Sequence, residues 1–138
     1  MAEIKLVLDG ARLAELLHSP TGPVGRHMIE RGELVKQGAR ARAPRKSGCL
    51  QGSIVKRVED RVEGIAIRVI ADTSPCSPDR KSYALFVHNG TQAHTIEAKN
   101  AGVLSFEWHG ERVFFASVLH PATRGHPFLR DSLPLAVA

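Results

Sequence analysis

The sequence predicts an α+β fold: an antiparallel β-sheet of hairpins packed against one long helix, with short helices and long loops. Three observations carry this expectation. A stretch of about 20 residues after Pro23 places Met28, Gly32, Val35 and Ala39 on one stripe at helical spacing. The pair VLSFEW and ERVFF flanks His109-Gly110, a two-residue hairpin signal. A third stretch, Ser74-Pro75-Cys76-Ser77-Pro78, is too rich in proline and serine for either regular structure.

The elements follow in order. Residues 3–8, EIKLVL, alternate in part and suit a short strand. Asp9 then caps a short helix over Ala11–His18, and Ser19-Pro20-Thr21-Gly22-Pro23 breaks it. Thr21 or Gly22 caps the long helix, with Pro23 in its first turn, where no N–H partner is needed. Pro44 ends that helix near Ala43, because a residue before proline avoids the α region. Gly32 on the inner stripe costs about 1 kcal/mol of helix propensity relative to alanine. It implies close approach of another backbone. Arg45-Lys46-Ser47-Gly48 is an exposed turn, and Ile54–Val62 and Ile65–Ala71 form a hairpin about Glu63-Gly64.

Asn89-Gly90 admits two outcomes, a hairpin turn or a helix stop. Tyr83, Phe86 and Val87 follow i, i+3, i+4 spacing, so a short helix capped by Asp79 or Ser82 and ended by Asn89-Gly90 is expected. In the His109-Gly110 hairpin, Trp108 faces Glu111, Phe106 faces Val113 and Leu104 faces Phe115. One face is then apolar, and the other carries a Glu107–Arg112 ion pair. A last short helix starts near Pro127, uses Phe128, Leu129 and Leu133, and stops at Pro134.

The chain has 138 residues, which suits one domain. Its parts are a strand–helix extension over 1–20, a core over 21–133 and an apolar tail over 134–138. No long apolar run opens the sequence, so neither a signal peptide nor a membrane span is expected. Cys49 and Cys76 form no CxxC, which suits two free thiols in a reduced intracellular protein. The net charge is +5, and it is concentrated. Arg26–Arg61 holds ten Lys/Arg against four Asp/Glu. Every aromatic lies outside that segment, unlike a base-stacking platform, which mixes aromatics with cations. The solvated face of a helix is the simpler explanation.

No catalytic constellation is expected. His88, His94, His109, His120 and His126 cluster in sequence, but no two fall on one helical face at metal-ligand spacing. "VHNGT" lacks the flanking carboxylates that a nuclease metal platform needs. No GxSxG or P-loop is present, and Ser105, Ser117 and Cys49 have no adjacent base in sequence. The expectation is a non-enzyme with no cofactor and no metal.

Three segments in order carry a resemblance. "ARAPRKSGCLQGSI" resembles an Ala-Pro…(Thr/Ser)-Gly-x-Leu…Ser-Ile segment. "YALFVHNGT" resembles Tyr-Ala…Val-Glu-x-Gly-Thr, and "HPATRGHPFLRDSL" resembles His-Pro-Gly…Pro-Phe-Leu…Ala-Leu. Together they resemble the neck, or tail-completion, proteins of long-tailed double-stranded DNA bacteriophages, over about residues 24–133. His88 stands where that family usually has Glu, and Ala122 where it usually has Gly.

The resemblance implies a structural virion protein of the neck, present in host cytoplasm during assembly. It implies a homo-oligomeric ring, of six copies or alternatively twelve, between head-closure and tail-terminator or tail-tube proteins. Genomic DNA passes through such a ring without sequence-specific binding, and no membrane is involved. The alternatives are a tail terminator capping the tail tube and a small basic DNA-binding protein. The expected partner-contact or channel-facing residues are Arg40, Arg42, Arg45, Lys46, Pro75, Pro78, His94, Lys99, Pro134 and Leu135.

Overall fold

The computed structural model describes residues 7–99 and 102–137. It is α+β, with antiparallel hairpins and a long helix, and the chain divides into two units. The first comprises the residues up to Ala84 together with those from Pro127 on, and the second is Leu85–His126. Of the strand expected over 3–8, residues 3–6 lie outside the described part, and Val7 and Leu8 have no regular structure.

The first unit begins with α1, Gly10–His18, capped by the Asp9 carboxylate, which accepts from the N–H groups of Ala11 and Arg12. The break at Ser19–Gly22 leads into α2, Pro23–Arg42, with Pro23 in its first turn. Gly25, Gly32, Val35 and Ala39 form its buried stripe. At its end, Gln51 Nε2 donates to the carbonyls of Arg40 and Ala43, groups that a helix terminus leaves without intrahelical partners. Gln51 belongs to α3, Cys49–Ser53, a short helix that the sequence pattern did not announce. Gly48, at φ +83°, turns the chain into it.

Next come β1, Ile54–Arg61, and β2, Gly64–Ala71, paired antiparallel with Arg61 opposite Gly64. The turn is therefore Val62-Glu63, one residue earlier than expected, and Gly64 takes φ +125° inside the strand. The core lies between this hairpin, α2 and the C-terminal segment: Val35, Ala39, Leu50, Ile54 and Phe128 are all buried. Pro134 does not stop the last helix. It sits inside a 3-10 helix, Arg130–Ala136, whose backbone tolerates it, and that helix packs on α2. The apolar tail expected to be free is thus partly occupied, with Leu135 half-buried against Gly38.

The proline-rich loop is tied at its base. Thr73 is fully buried, donates its N–H to Ser82 Oγ and accepts from the N–H of Tyr83. Ser82 thus serves Thr73. The expected free thiols are also corrected: Cys49 and Cys76 form a disulfide, with Cα atoms 6.3 Å apart. That separation lies in the range a disulfide spans. Spacing along the chain hid it because the intervening β1–β2 hairpin brings the two ends back together.

α4, Ala84–Asn89, starts at the last residue of the first unit's N-terminal part and runs into the second unit, where it ends as Gly90 adopts φ +78°. Asn89-Gly90 is therefore a helix stop and not a hairpin turn, and β3, Gly90–Thr91, starts at once. It pairs with β8, Thr123–Arg124. Next comes β4, His94–Glu97, which pairs with β7, Ser117–His120. Between them β5, Leu104–Trp108, and β6, Glu111–Phe115, form the hairpin in the expected register. His109 at φ +52° and Gly110 at φ +87° make its turn. Glu107 and Arg112 are cross-strand partners, yet their side chains form no ion pair.

Candidate assembly surfaces

The basic segment is largely committed within the chain. Lys36 and Lys56 both reach the Glu33 carboxylate, at 2.7 and 3.1 Å, and Lys56 also donates to the carbonyl of Ile29. Hydrogen bonds from Lys36 and Lys56 hold the Glu33 carboxyl down at about pKa 2. Arg61 and Arg68 share Glu59, whose pKa is lowered chiefly by the hydrogen bond from Arg61. Arg40 was expected to face a partner. Instead it is half-buried and donates through Nε and Nη2 to the carbonyl of Ile54, clamping the start of β1 to α2.

Arg42, Arg45 and Lys46 remain exposed around the end of α2, and Arg42 Nη1 also donates to the Gly38 carbonyl. Pro75, Pro78 and Pro134 are exposed in the first unit, and Lys99 in the second. Of the ten candidate residues, Arg40 and Leu135 are therefore held inside the first unit. The structure does not gather the others into one site.

The second unit has a different character. None of its described residues is buried. Trp108 is 60% exposed and Leu119 71%, and Leu85, Phe86, Phe114 and Phe115 are also exposed. Its formal charge is zero, since Lys99, Arg112 and Arg124 balance Glu97, Glu107 and Glu111, so the whole +5 lies in the first unit. An apolar groove of about 570 Å³ runs between the β5–β6 hairpin and the β4–β7 pair, with Ile96, Leu104, Phe106, Trp108, Val118 and Leu119 in its walls. Monomeric soluble proteins rarely leave so contiguous an apolar surface open.

His120 also lines this groove, and its Nδ1 is buried with no hydrogen-bond partner. His94 lies directly opposite it across β4–β7, and the two rings stack with centroids 5.1 Å apart. His94 Nδ1 lies 3.0 Å from the carbonyl of Gln92. The 26 positions that separate the two histidines in sequence concealed this pairing. The missed strand β4 was the signal, and HTIE is too short and polar to declare itself. Among the described residues, no three His, Cys, Asp or Glu side chains come together as a metal site. No described helix is long and apolar enough to cross a membrane.

No protein-family model, no curated protein and no solved structure matches this chain.

Proposed function

We infer that this chain is a structural virion protein that joins a phage head to its tail as one subunit of a ring in the neck. The sequence support is the ordered set "ARAPRKSGCLQGSI", "YALFVHNGT" and "HPATRGHPFLRDSL". The observation that carries the reading furthest is the second unit. Trp108, Phe114, Phe115 and Leu119 stay open on a neutral module with no buried residue of its own, which suits a subunit that completes its packing in an assembly. Six copies, with twelve as the alternative, would sit between head-closure and tail components, and the genome would pass through without base-specific contact.

The DNA-binding alternative is disfavoured because Lys36, Arg40, Lys56 and Arg61 are engaged inside the chain. A DNA binder using that segment would lose affinity steeply as salt rises. A neck subunit would show only weak retention at low salt. Electron microscopy of purified particles tests the main reading. Density for this chain is expected at the head–tail junction. Its absence from mature particles, or its position at any other place, overturns the reading; a location on the tail side of the junction favours the tail-terminator alternative.

A further inference from the structure

The lining of the second unit's groove carries no charged side chain, but one lies beside it on the same face of the β5–β6 hairpin. Leu104, Phe106 and Trp108 point to the same side of β5, and the cross-strand register puts Phe115, Val113 and Glu111 on that side of β6. Glu111 is exposed, opposite Trp108, and forms no ion pair among the described residues. An occupant that fits this wall is an apolar ridge carrying one cation.

The chain itself contains such a ridge. α1 packs against α2 and β2, with Leu17 beside Gly64, yet none of its residues is buried, and Leu13, Leu16 and Leu17 remain 45%, 40% and 36% exposed. Arg12 lies one helical turn before Leu16, so both project from one face. The Arg12 guanidinium is almost fully solvated and only 3.9 Å from Asp9 at its closest, a weak hold. Nine helical residues span about 13–14 Å, short enough to lie along a groove between two strand pairs. An amphipathic helix in an apolar groove is a recurrent recognition mode.

The charge distribution favours a second copy over a charged foreign partner. Two first units, each at +5, repel one another, whereas the second unit is neutral and α1 carries only Arg12 and Glu15 beside its cap Asp9. Copies can therefore approach through α1 and the groove without bringing two basic surfaces together.

We propose that the leucine face of α1 in one copy of this chain seats in the second-unit groove of the next copy, with Arg12 against Glu111. The contact joins two different patches, so it is head-to-tail and generates a chain or a closed ring. It deepens the ring reading above but is tested separately from it, in solution.

Full-length chain with Leu16→Cys is mixed with full-length chain carrying Leu119→Cys, and a short thiol-specific bifunctional reagent is added. The expected product is a covalent dimer joining one chain of each kind, well above the yield from either variant alone. A charge swap supplies the second arm, with circular dichroism confirming that each variant is folded. Arg12→Glu and Glu111→Arg should each weaken self-association about twofold to fivefold, as expected for a partly exposed ion pair, and the double variant should recover it. No mixed dimer above the yield of the single variants, or a charge-swap double variant no better than the singles, overturns the proposal. Particle microscopy is independent of these results, so a failed contact leaves the neck assignment standing, and a misplaced particle density leaves the contact standing.

Discussion

Gly32 of α2 lies directly against Ile67 of β2: a Cβ added to Gly32 would overlap Ile67 Cγ2 and come within 3.2 Å of the Lys56 side chain. The close approach implied by a glycine on the inner stripe is real, but a β-branched side chain makes it. Ile67 cannot swing away, because both its γ branches start at Cβ. Gly32→Ala would gain about 1 kcal/mol of helix propensity and lose about 1–3 kcal/mol to overpacking. The expected result is a lower urea midpoint with an unchanged slope. A raised midpoint would place α2 farther from the sheet.

Gly90 and Gly125 mark a backbone crossing in the second unit. A Cβ on Gly90 would overlap the Thr123 carbonyl and lie 2.6 Å from the Gly125 nitrogen, and one on Gly125 would lie 2.6 Å from the Asn89 carbonyl carbon. Backbone cannot yield as a side chain tip can. Gly90 also needs φ +78°, a conformation that a Cβ disfavours. Gly90→Ala is therefore expected to disrupt the β3–β8 pairing, read as lost protection of the Thr91 and Thr123 amides in hydrogen exchange. Retained protection at both would contradict the crossing.

The His109-Gly110 turn separates conformation from space. Both residues have positive φ, the pattern of a type I′ turn, and nothing lies within 4 Å of where a Gly110 Cβ would sit. Any loss in Gly110→Val therefore reports backbone strain alone, of about 1–2 kcal/mol for a β-branched residue in that region. His109→Asn should be neutral or slightly stabilising, because Asn accepts positive φ more readily. The pair of melting temperatures checks both. An unchanged Gly110→Val melt would mean that the turn lies at other residues.

What was legible in the sequence follows from how local the cause was. The Asp9 cap, the Pro44 stop and the His109-Gly110 register depend on neighbours within a few residues, and all three are where the pattern placed them. The Cys49–Cys76 bond, the β4–β7 pairing and the His94–His120 stack depend on returns of the chain over more than twenty residues, which periodicity does not encode. Local pattern points Arg40 outward, because arginine on a helix is usually solvated. The carbonyl of Ile54, supplied by a strand fourteen residues on, turned it inward. Pro134 reads as a stop only on α-helical grounds, and a 3-10 helix accommodates it.

The Glu33 cluster gives a pH signature. Lys36 and Lys56 hold the carboxyl at about pKa 2, below its ordinary 4.5. A depressed folded-state value means the unfolded chain binds a proton first as pH falls. The stabilisation is thus complete above about pH 4.5 and is lost progressively between there and about pH 2. Glu33→Gln should lower stability at neutral pH and flatten the acid limb of the stability curve in that window. Thermal melts of both proteins across the acid range check it. Parallel curves would mean that the two lysines do not engage Glu33 in solution.

The Cys49–Cys76 disulfide closes a segment of the first unit that contains α3 and both strands of the β1–β2 hairpin. Its ends are 27 positions apart in sequence, so removing the link frees the unfolded chain to explore more conformations than the folded one gains. Loop-closure entropy for that separation predicts a loss of about 3–4 kcal/mol. The bond also pins the loop after Thr73 to α3, beyond the Thr73–Ser82 hydrogen bonds that close its base. Reduction should therefore loosen the loop first and lower global stability as well. A structural disulfide is unusual in a reducing cytoplasm and forms readily where conditions are oxidising. The check is to alkylate native protein without reductant, weigh it, and then compare urea unfolding with and without reductant. Two alkylated thiols in air-exposed native protein would show that the bond does not form. A reduced protein with the same midpoint as the oxidised one would show that the bond forms without contributing to stability.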